Sequence, residues 1–128
     1  MHLLTRPERG AAVADFALVS SLVLVIFLAV FQLGLALHTR NTLISCASEG
    51  ARYGARADAV PGQGIARTQS LVTASLSPRY ARAVSARQVT VAGVRVVEVR
   101  VVAPVPVIGL LGPEDRLDVV GRAFVESQ

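Results

Sequence analysis

The chain has 128 residues, of which 52% are hydrophobic, and it carries a formal net charge of +4. All 13 basic residues are arginine and are scattered along the chain without interleaved aromatic residues, which argues against a nucleic-acid-binding protein. The single cysteine, Cys46, excludes an intramolecular disulfide and therefore a small disulfide-stapled secreted domain. We expect the Cys46 side chain to pack on a helix face rather than to crosslink two chains or to carry a lipid.

The first ten residues form a short polar leader that ends at Gly10. An uncharged apolar run of 22 residues extends from Phe16 to Leu37. As a helix this run is about 33 Å long, which is enough to cross the hydrocarbon core of a bilayer. We therefore predict one membrane-spanning segment at residues 16–37.

Helix-compatible residues continue on both sides of the apolar run. No helix breaker occurs between Ala11 and Gly34, and the pattern extends to Ala57, where a turn cluster at residues 58–64 begins. The sequence thus predicts one long helix over residues 11–57, whose first half is in lipid and whose second half projects from it. Residues 58–128 are expected to form a small head outside the membrane.

Small residues mark one face of the projecting half of this helix. Ala47, Gly50, Ala51 and Gly54 recur at spacings of three and four, which lets another backbone approach closely. The GxxxG pattern of Gly50 and Gly54 lies outside the predicted span, so its value as a membrane-dimer motif is low. We expect this face to pack against the C-terminal domain of the same chain.

The head is predicted to begin with a short helix. Apolar residues from Ile65 to Leu76 recur at helical spacing, and Ser77-Pro78 closes the pattern. From Val84 onward the period of the apolar residues changes from helical to alternating, which is typical of half-buried strands.

Three strands are predicted in the rest of the head. Ala92-Gly93 is a candidate tight turn between the first two, and the pair Val96-Val97 indicates a bulge or local burial on both faces. Prolines end the second strand, an apolar loop at residues 105–111 follows, and the third strand covers about residues 116–126. The fold class is therefore α+β: a long N-terminal transmembrane helix continuing into a head of one short helix and a three-stranded antiparallel sheet.

The residues that could carry chemistry argue against an enzyme. His2 and His38 are far apart and form no metal-binding pair, and neither gives Cys46 an evident base. Glu98 on a strand and Glu114-Asp115 in a turn are expected to be solvated. No glycine-rich phosphate loop follows a strand, so we expect neither a metal nor a cofactor.

The N-terminal end of the long helix is more informative. Gly10 lies between the leader and the helix, and Asp15 lies five residues later at the edge of the span. If a peptidase cut between Gly10 and Ala11, the new α-ammonium group would lie about one turn from Asp15, or near the Asp15 of a neighbouring helix, and could neutralise it. The alternative is an acid in the first turn of a helix, where the macrodipole favours it. The position alone does not decide between the two.

Several segments together resemble the TadE-like family of pseudopilins from tight-adherence pilus systems, which are similar to type IV pilins. The resemblance covers residues 9 to about 57 closely. It is carried by the segments Gly10-Ala-Ala-Val-Ala-Asp15-Phe16-Ala17-Leu18-Val19, Phe31-Gln32-Leu-Gly34, Arg40-Asn41-Thr42-Leu43 and Ala47-Ser-Glu49-Gly50-Ala51-Arg52-Tyr53-Gly54-Ala55.

The resemblance implies a bacterial inner-membrane protein that enters, or helps to assemble, a thin adhesive pilus. Its leader, residues 1–10, would be removed on the cytoplasmic side by a prepilin peptidase, so that Gly10 is the last leader residue and Ala11 the mature N-terminus. Asp15 would be the acid at the fifth mature position. The implied partners are the membrane, other pilin or pseudopilin subunits, the peptidase and the pilus assembly machinery.

This chain departs from the usual family pattern at three positions. Asp15 stands where the family usually has glutamate. Ser21 lies near a position that is often proline in the family, and Gln32 lies near one that is often glutamate. The shorter aspartate side chain keeps the charge, so pairing with an amine is retained while its geometry changes. The absence of the proline predicts a straighter helix.

Membrane orientation does not follow from the charges. Arg6 and Arg9 precede the span, and Arg40, Arg52 and Arg56 follow it. Counting basic residues on the two sides by the positive-inside rule therefore does not decide the orientation. The resemblance implies a single-pass protein of the bacterial cell membrane, with its N-terminus inside the cell and its head outside.

Two other interpretations stay open. The first is a bitopic membrane-anchored adaptor whose head binds another envelope protein through the loop at residues 105–111, without leader cleavage. The second is ordinary secretion, with the apolar run as a signal peptide cleaved after Gly34-Leu-Ala36. The run is longer than a typical signal-peptide core, which disfavours secretion.

Overall fold

The structure is a computed structural model that describes residues 6–106 and 116–126. Its first element, α1, is a helix of 49 residues, Arg6–Gly54. It begins five residues before the predicted Ala11, since Pro7 falls in the first turn, where the missing N–H of proline is tolerated. It ends three residues before the predicted Ala57, at a glycine.

Two compact units divide the chain, Met1–Gly34 and Leu35–Gln128. In the first unit, the large apolar side chains of α1 from Phe16 to Leu33 are exposed. Among the described residues, one helix is long and apolar enough to cross a membrane; its most apolar stretch has a mean hydropathy of 2.6, and none of that stretch is buried. An exposed apolar surface of this kind suits contact with lipid hydrocarbon, and the bounds of the span, residues 16–37, stay a prediction.

The second helix, α2, is Pro61–Ser75, and a short 3-10 helix, Pro78–Ala81, follows it. The prediction that residues 58–64 form a turn cluster was wrong in its second half, because α2 begins at Pro61. Proline suits the start of a helix because its backbone angle is already helical. Gly64 lies inside α2, where it contacts α1 rather than forming a turn.

Three antiparallel strands form one sheet in the order β1-β2-β3, with β1 Ala83–Val91, β2 Val94–Pro104 and β3 Arg116–Phe124. The turn between β1 and β2 is Ala92-Gly93, as predicted. Both residues have positive φ, 51° and 80°. This is the pattern of a type I′ turn, which matches the twist of a hairpin. The structure confirms the predicted α+β fold class.

One face of the sheet forms the core of the second unit. Val97, Val99 and Val101 of the central strand have no exposed surface. Val96 is also buried, and the register runs without interruption through Val89↔Val96 and Gln88↔Val97. The pair Val96-Val97 therefore reflects burial on both faces, not a bulge. Of the predicted apolar loop at 105–111, residues 107–111 lie outside the described residues.

Glu98 lies on the opposite face of the sheet, and its expected solvation was wrong. Only 6% of its side chain is exposed, because Arg87 from β1 and Arg122 from β3 lie over it. Arg122 Nε donates to Glu98 Oε2 at 2.8 Å and Arg87 Nε donates to Oε1 at 3.0 Å. Glu98 thus links all three strands by ion pairs.

The hydrogen bond from Arg122 is the main cause that holds the pKa of Glu98 below its ordinary value of 4.5, against burial, which raises the pKa. Arg87 lowers it further. The pKa of Glu98 is therefore lower in the folded protein than in the unfolded chain. The stabilisation that ionised Glu98 gives to the fold is complete above the unfolded pKa and is lost as the pH falls through the folded pKa.

We predict that Glu98→Gln lowers the free energy of unfolding by about 1 kcal/mol at neutral pH, since two charge-assisted hydrogen bonds are weakened. The difference from the unsubstituted protein should shrink as the pH falls from about 6 to about 3. Thermal unfolding in detergent across this range, followed by circular dichroism, measures it. Asp118→Asn, which breaks an exposed pair with Arg100, is the control and should have a smaller effect. A difference that grows toward low pH would contradict the assignment.

Candidate functional site

The N-terminal candidate residues all lie on α1. Gly10, Ala11 and Asp15 are exposed in the first unit. Ala11 and Asp15 are four positions apart, which places them on the same helix face, one turn from each other. Within residues 6–106 and 116–126, Asp15 makes no ion pair. Its carboxylate therefore lies open to a charge that the described chain does not provide.

The small residues further along α1 are buried in the second unit. Ala47 and Ala51 have no exposed surface, and Gly50 and Gly54 are buried as well. A Cβ atom on Gly50 would lie 2.8 Å from the carbonyl oxygen of Gly64 in α2, and one on Gly64 would lie 2.7 Å from the carbonyl oxygen of Gly50. The two helices therefore meet backbone to backbone at this glycine pair.

A third glycine brings the sheet to the same helix. A Cβ atom on Gly121 of β3 would collide with the backbone of Ala47 and Ser48. Further along, the backbone N–H of Glu126 donates to the carbonyl oxygen of Ala55 at 2.9 Å. The small-residue face of α1 thus packs against α2 and against β3 of its own chain.

Cys46 lies at the edge of this packing. It is buried and borders a cleft of about 470 Å³, together with the polar residues Ser45, Ser48, Glu49, Arg52 and Ser75 and with Leu71. Burial raises the pKa of the Cys46 thiol, and the hydrogen bond with Ser75 offsets this only in part. A higher pKa disfavours the reactive thiolate, so the environment suits a packing residue rather than a nucleophile.

Comparison with known families gives a match in the N-terminal part of the chain. Residues 10–52 match the family model described as TadE-like protein. This segment, about a third of the chain, is similar to that family. No curated protein and no solved structure matched the chain. The family match and the membrane-spanning length of α1 support a membrane protein associated with the tight-adherence system.

The TadE-like segment contains most of the candidate residues. Gly10, Ala11 and Asp15 lie at its beginning and Gly50 near its end, whereas Gly54 lies two positions beyond it. The structure brings the small residues together at the packing face, while Asp15 is in the other unit.

Sequence reasoning missed the partners of the small-residue face. Gly64, Thr68 and Gly121 contact it, and Thr68 Oγ1 donates to the Gly64 carbonyl oxygen at 2.8 Å. Glycine inside a strand pattern signals a close approach of another backbone, so Gly121 could have been found from the sequence. Among residues 6–106 and 116–126, no group of three or more His, Cys, Asp or Glu side chains could hold a metal ion.

We predict that Gly64→Ala lowers the free energy of unfolding by about 1–3 kcal/mol, because the new methyl group must displace the α1 backbone. Gly62→Ala is the matched control: it lies in the same helix, and a Cβ atom there meets nothing within 4 Å. The control should be neutral or more stable by up to about 1 kcal/mol, since alanine favours helix. Thermal unfolding in detergent measures both variants. Equal effects would show that α1 and α2 do not meet at this pair.

Proposed function

We propose that this chain is a minor pilin or pilus-assembly pseudopilin of a tight-adherence secretion and pilus system, with a structural rather than a catalytic role. The observation that carries the proposal is the extent of the family match, which begins at Gly10 and includes the membrane-spanning run. Gly10 is the residue after which a prepilin peptidase would cut. The similarity thus starts one residue before Ala11, the first residue of the proposed mature chain.

In this proposal α1 anchors the protein once in the bacterial cell membrane. The leader is on the cytoplasmic side, where the peptidase removes residues 1–10, and the head is extracytoplasmic. Gly10 and Ala11 are exposed on α1, so no packed part of the described chain covers them. The mature helix then associates with other pilin or pseudopilin subunits and with the assembly machinery.

Asp15 has a defined electrostatic role in this scheme. A carboxylate at the edge of a span is costly when it has no partner, and Asp15 has none in the described chain. Cleavage before Ala11 creates an α-ammonium group four residues away, about 6 Å along a helix. The two opposite charges attract strongly where water is scarce, either within one chain or between neighbouring helices.

The first test is the N-terminus of the mature protein. In cells with an active prepilin peptidase, mass spectrometry of the purified protein should find Ala11 as the first residue. Gly10→Val should prevent cleavage because a branched side chain replaces the hydrogen atom next to the scissile bond. The same measurement in cells without the peptidase is the control. An intact leader in peptidase-positive cells would refute processing.

A second test separates the charge of Asp15 from its position. Asp15→Asn removes the charge at nearly unchanged size and should reduce incorporation into pili by at least about tenfold, the equivalent of roughly 1.4 kcal/mol of lost pairing. Asp15→Glu keeps the charge on a longer arm and should retain most of the incorporation. Quantitative immunoblotting of sheared pili measures both, with membrane levels as the loading control. If Asp15→Asn is incorporated into pili as well as the unsubstituted protein, the proposed electrostatic role of Asp15 is refuted.

The adaptor alternative is favoured by one feature of the head. Phe124, Val91 and Val94 are exposed on the face of the sheet that points away from the helices, and 71% of Phe124 is accessible. Such an apolar surface suits contact with another envelope protein. Under this alternative, Asp15→Asn would keep function and Phe124→Ser would lose it.

A further inference from the structure

The face of the sheet that points away from the helices carries an exposed apolar patch at one end. Val91 ends β1, Val94 begins β2 directly opposite it, and Phe124 ends β3. The three residues are between 46% and 71% exposed. We call Val91, Val94 and Phe124 the outer patch. Their exposure shows that the described part of the chain leaves this patch uncovered.

A positively charged row borders the outer patch on the same face. Arg122 lies two residues before Phe124 on β3, and Arg122 and Arg87 flank Glu98 on the central strand. Two positive charges and one negative charge leave the row with a net charge of +1. Both arginine side chains are mostly exposed, whereas that of Glu98 is buried beneath them. A group that approaches the row therefore meets cations.

One segment of the chain has the matching chemistry. Residues 107–115 link β2 to β3, and their sequence is Val-Ile-Gly-Leu-Leu-Gly-Pro-Glu-Asp. They lie outside the described residues. We call them the β2–β3 segment. Leu110-Leu111 comes shortly before Glu114-Asp115, so apolar side chains are followed by acids. Three extended residues span about 10 Å, and the outer patch and the arginine row are about 7 Å apart, so one segment can contact both.

The β2–β3 segment cannot reach the outer patch of its own chain, because β3 begins at Arg116 and runs away from it. Phe124 is eight residues along this strand, about 27 Å. Leu111 is five residues from Arg116, and five extended residues span at most about 18 Å. Glu114 is within about 7 Å of Arg116, whereas Arg122 is about 20 Å along the strand. Segment and patch therefore belong to opposite ends of the sheet, and a contact between them joins two copies.

We propose that the β2–β3 segment of one copy docks on the outer patch of a second copy. Its leucines pack against the patch, where burial of apolar surface favours the contact. Its acids accept charge-assisted hydrogen bonds from Arg87 and Arg122, which the net positive charge of the row leaves available.

This contact is head-to-tail. After two copies have paired, one outer patch and one β2–β3 segment remain free, so the same contact repeats from copy to copy and forms a ring or an open filament. The inference goes beyond the proposed function, since it needs neither leader cleavage nor Asp15. Purified protein tests it without any pilus machinery, so its failure is distinguishable from failure of the pilin assignment.

The test places the photo-crosslinking residue p-benzoylphenylalanine at position 94 of the full chain. An equal mixture of isotopically light and heavy protein is reconstituted in phosphatidylcholine vesicles and irradiated, and mass spectrometry identifies the crosslinked peptides. We expect crosslinks to residues 107–115 that join light and heavy chains. Crosslinks within single chains only, to the outer patch of a second copy, or to lipid alone would overturn the proposal, as would the absence of crosslinks.

Substitutions on both sides of the contact test its apolar part. Phe124→Ser on the patch and L110S/L111S on the segment should each reduce the crosslinking yield at least about tenfold, as for a central apolar contact. Val60→Ser is the matched control, since it removes an exposed apolar side chain elsewhere in the head and should leave the yield unchanged. Circular dichroism melting establishes that each variant is folded. Equal yields in the control and the test variants would overturn the proposal.

The charged part has its own variant. E114Q/D115N should reduce the yield about threefold, because exposed ion pairs are weak, and high salt should reduce the yield of the unsubstituted chain similarly. E49Q/D58N removes two exposed acids elsewhere in the head and should have no effect. An unchanged yield in E114Q/D115N would overturn the pairing of these acids with the arginine row.

A mixing experiment separates a head-to-tail contact from a symmetric one. Phe124→Ser keeps an intact segment, and L110S/L111S keeps an intact patch, so the mixture can form one intact contact although neither variant can alone. With the photo-crosslinker in the L110S/L111S chain, half of its neighbours carry an intact segment, and the yield should recover about fivefold, half of the tenfold loss. The products should be dimers, whereas the unsubstituted chain should also give longer products. No recovery in the mixture would overturn the head-to-tail contact.

Discussion

The second unit depends on close backbone contact along one face of α1. Gly50 meets Gly64 of α2, and Gly121 of β3 meets Ala47, at distances that leave no room for a Cβ atom. Because these contacts are made by backbone, no side-chain rearrangement can relieve them. They fix how near α2 and β3 come to the helix, and the valines of β2 then fill the remaining space.

This packing gives α1 two different environments along one continuous helix. Its apolar residues up to Leu33 are exposed and suited to lipid, whereas Leu43, Ala47 and Ala51 are part of the core of the head. The change in residue size follows the change in environment. Large apolar side chains give a helix a surface that lipid hydrocarbon solvates well. Small side chains let the helix approach a neighbouring backbone closely. Residues 10–52, the TadE-like segment, contain both kinds of surface.

Much of the fold could be predicted because its signals are local. The length of the apolar run predicts the span, alternation predicts the strands, and Ala92-Gly93 predicts the hairpin turn. The start of α2 was missed because proline and glycine usually signal turns, whereas here Gly64 is required by contact with Gly50. The burial of Glu98 was missed for a related reason: its cover comes from Arg87 and Arg122 on neighbouring strands, and pairing register is not visible in a single sequence.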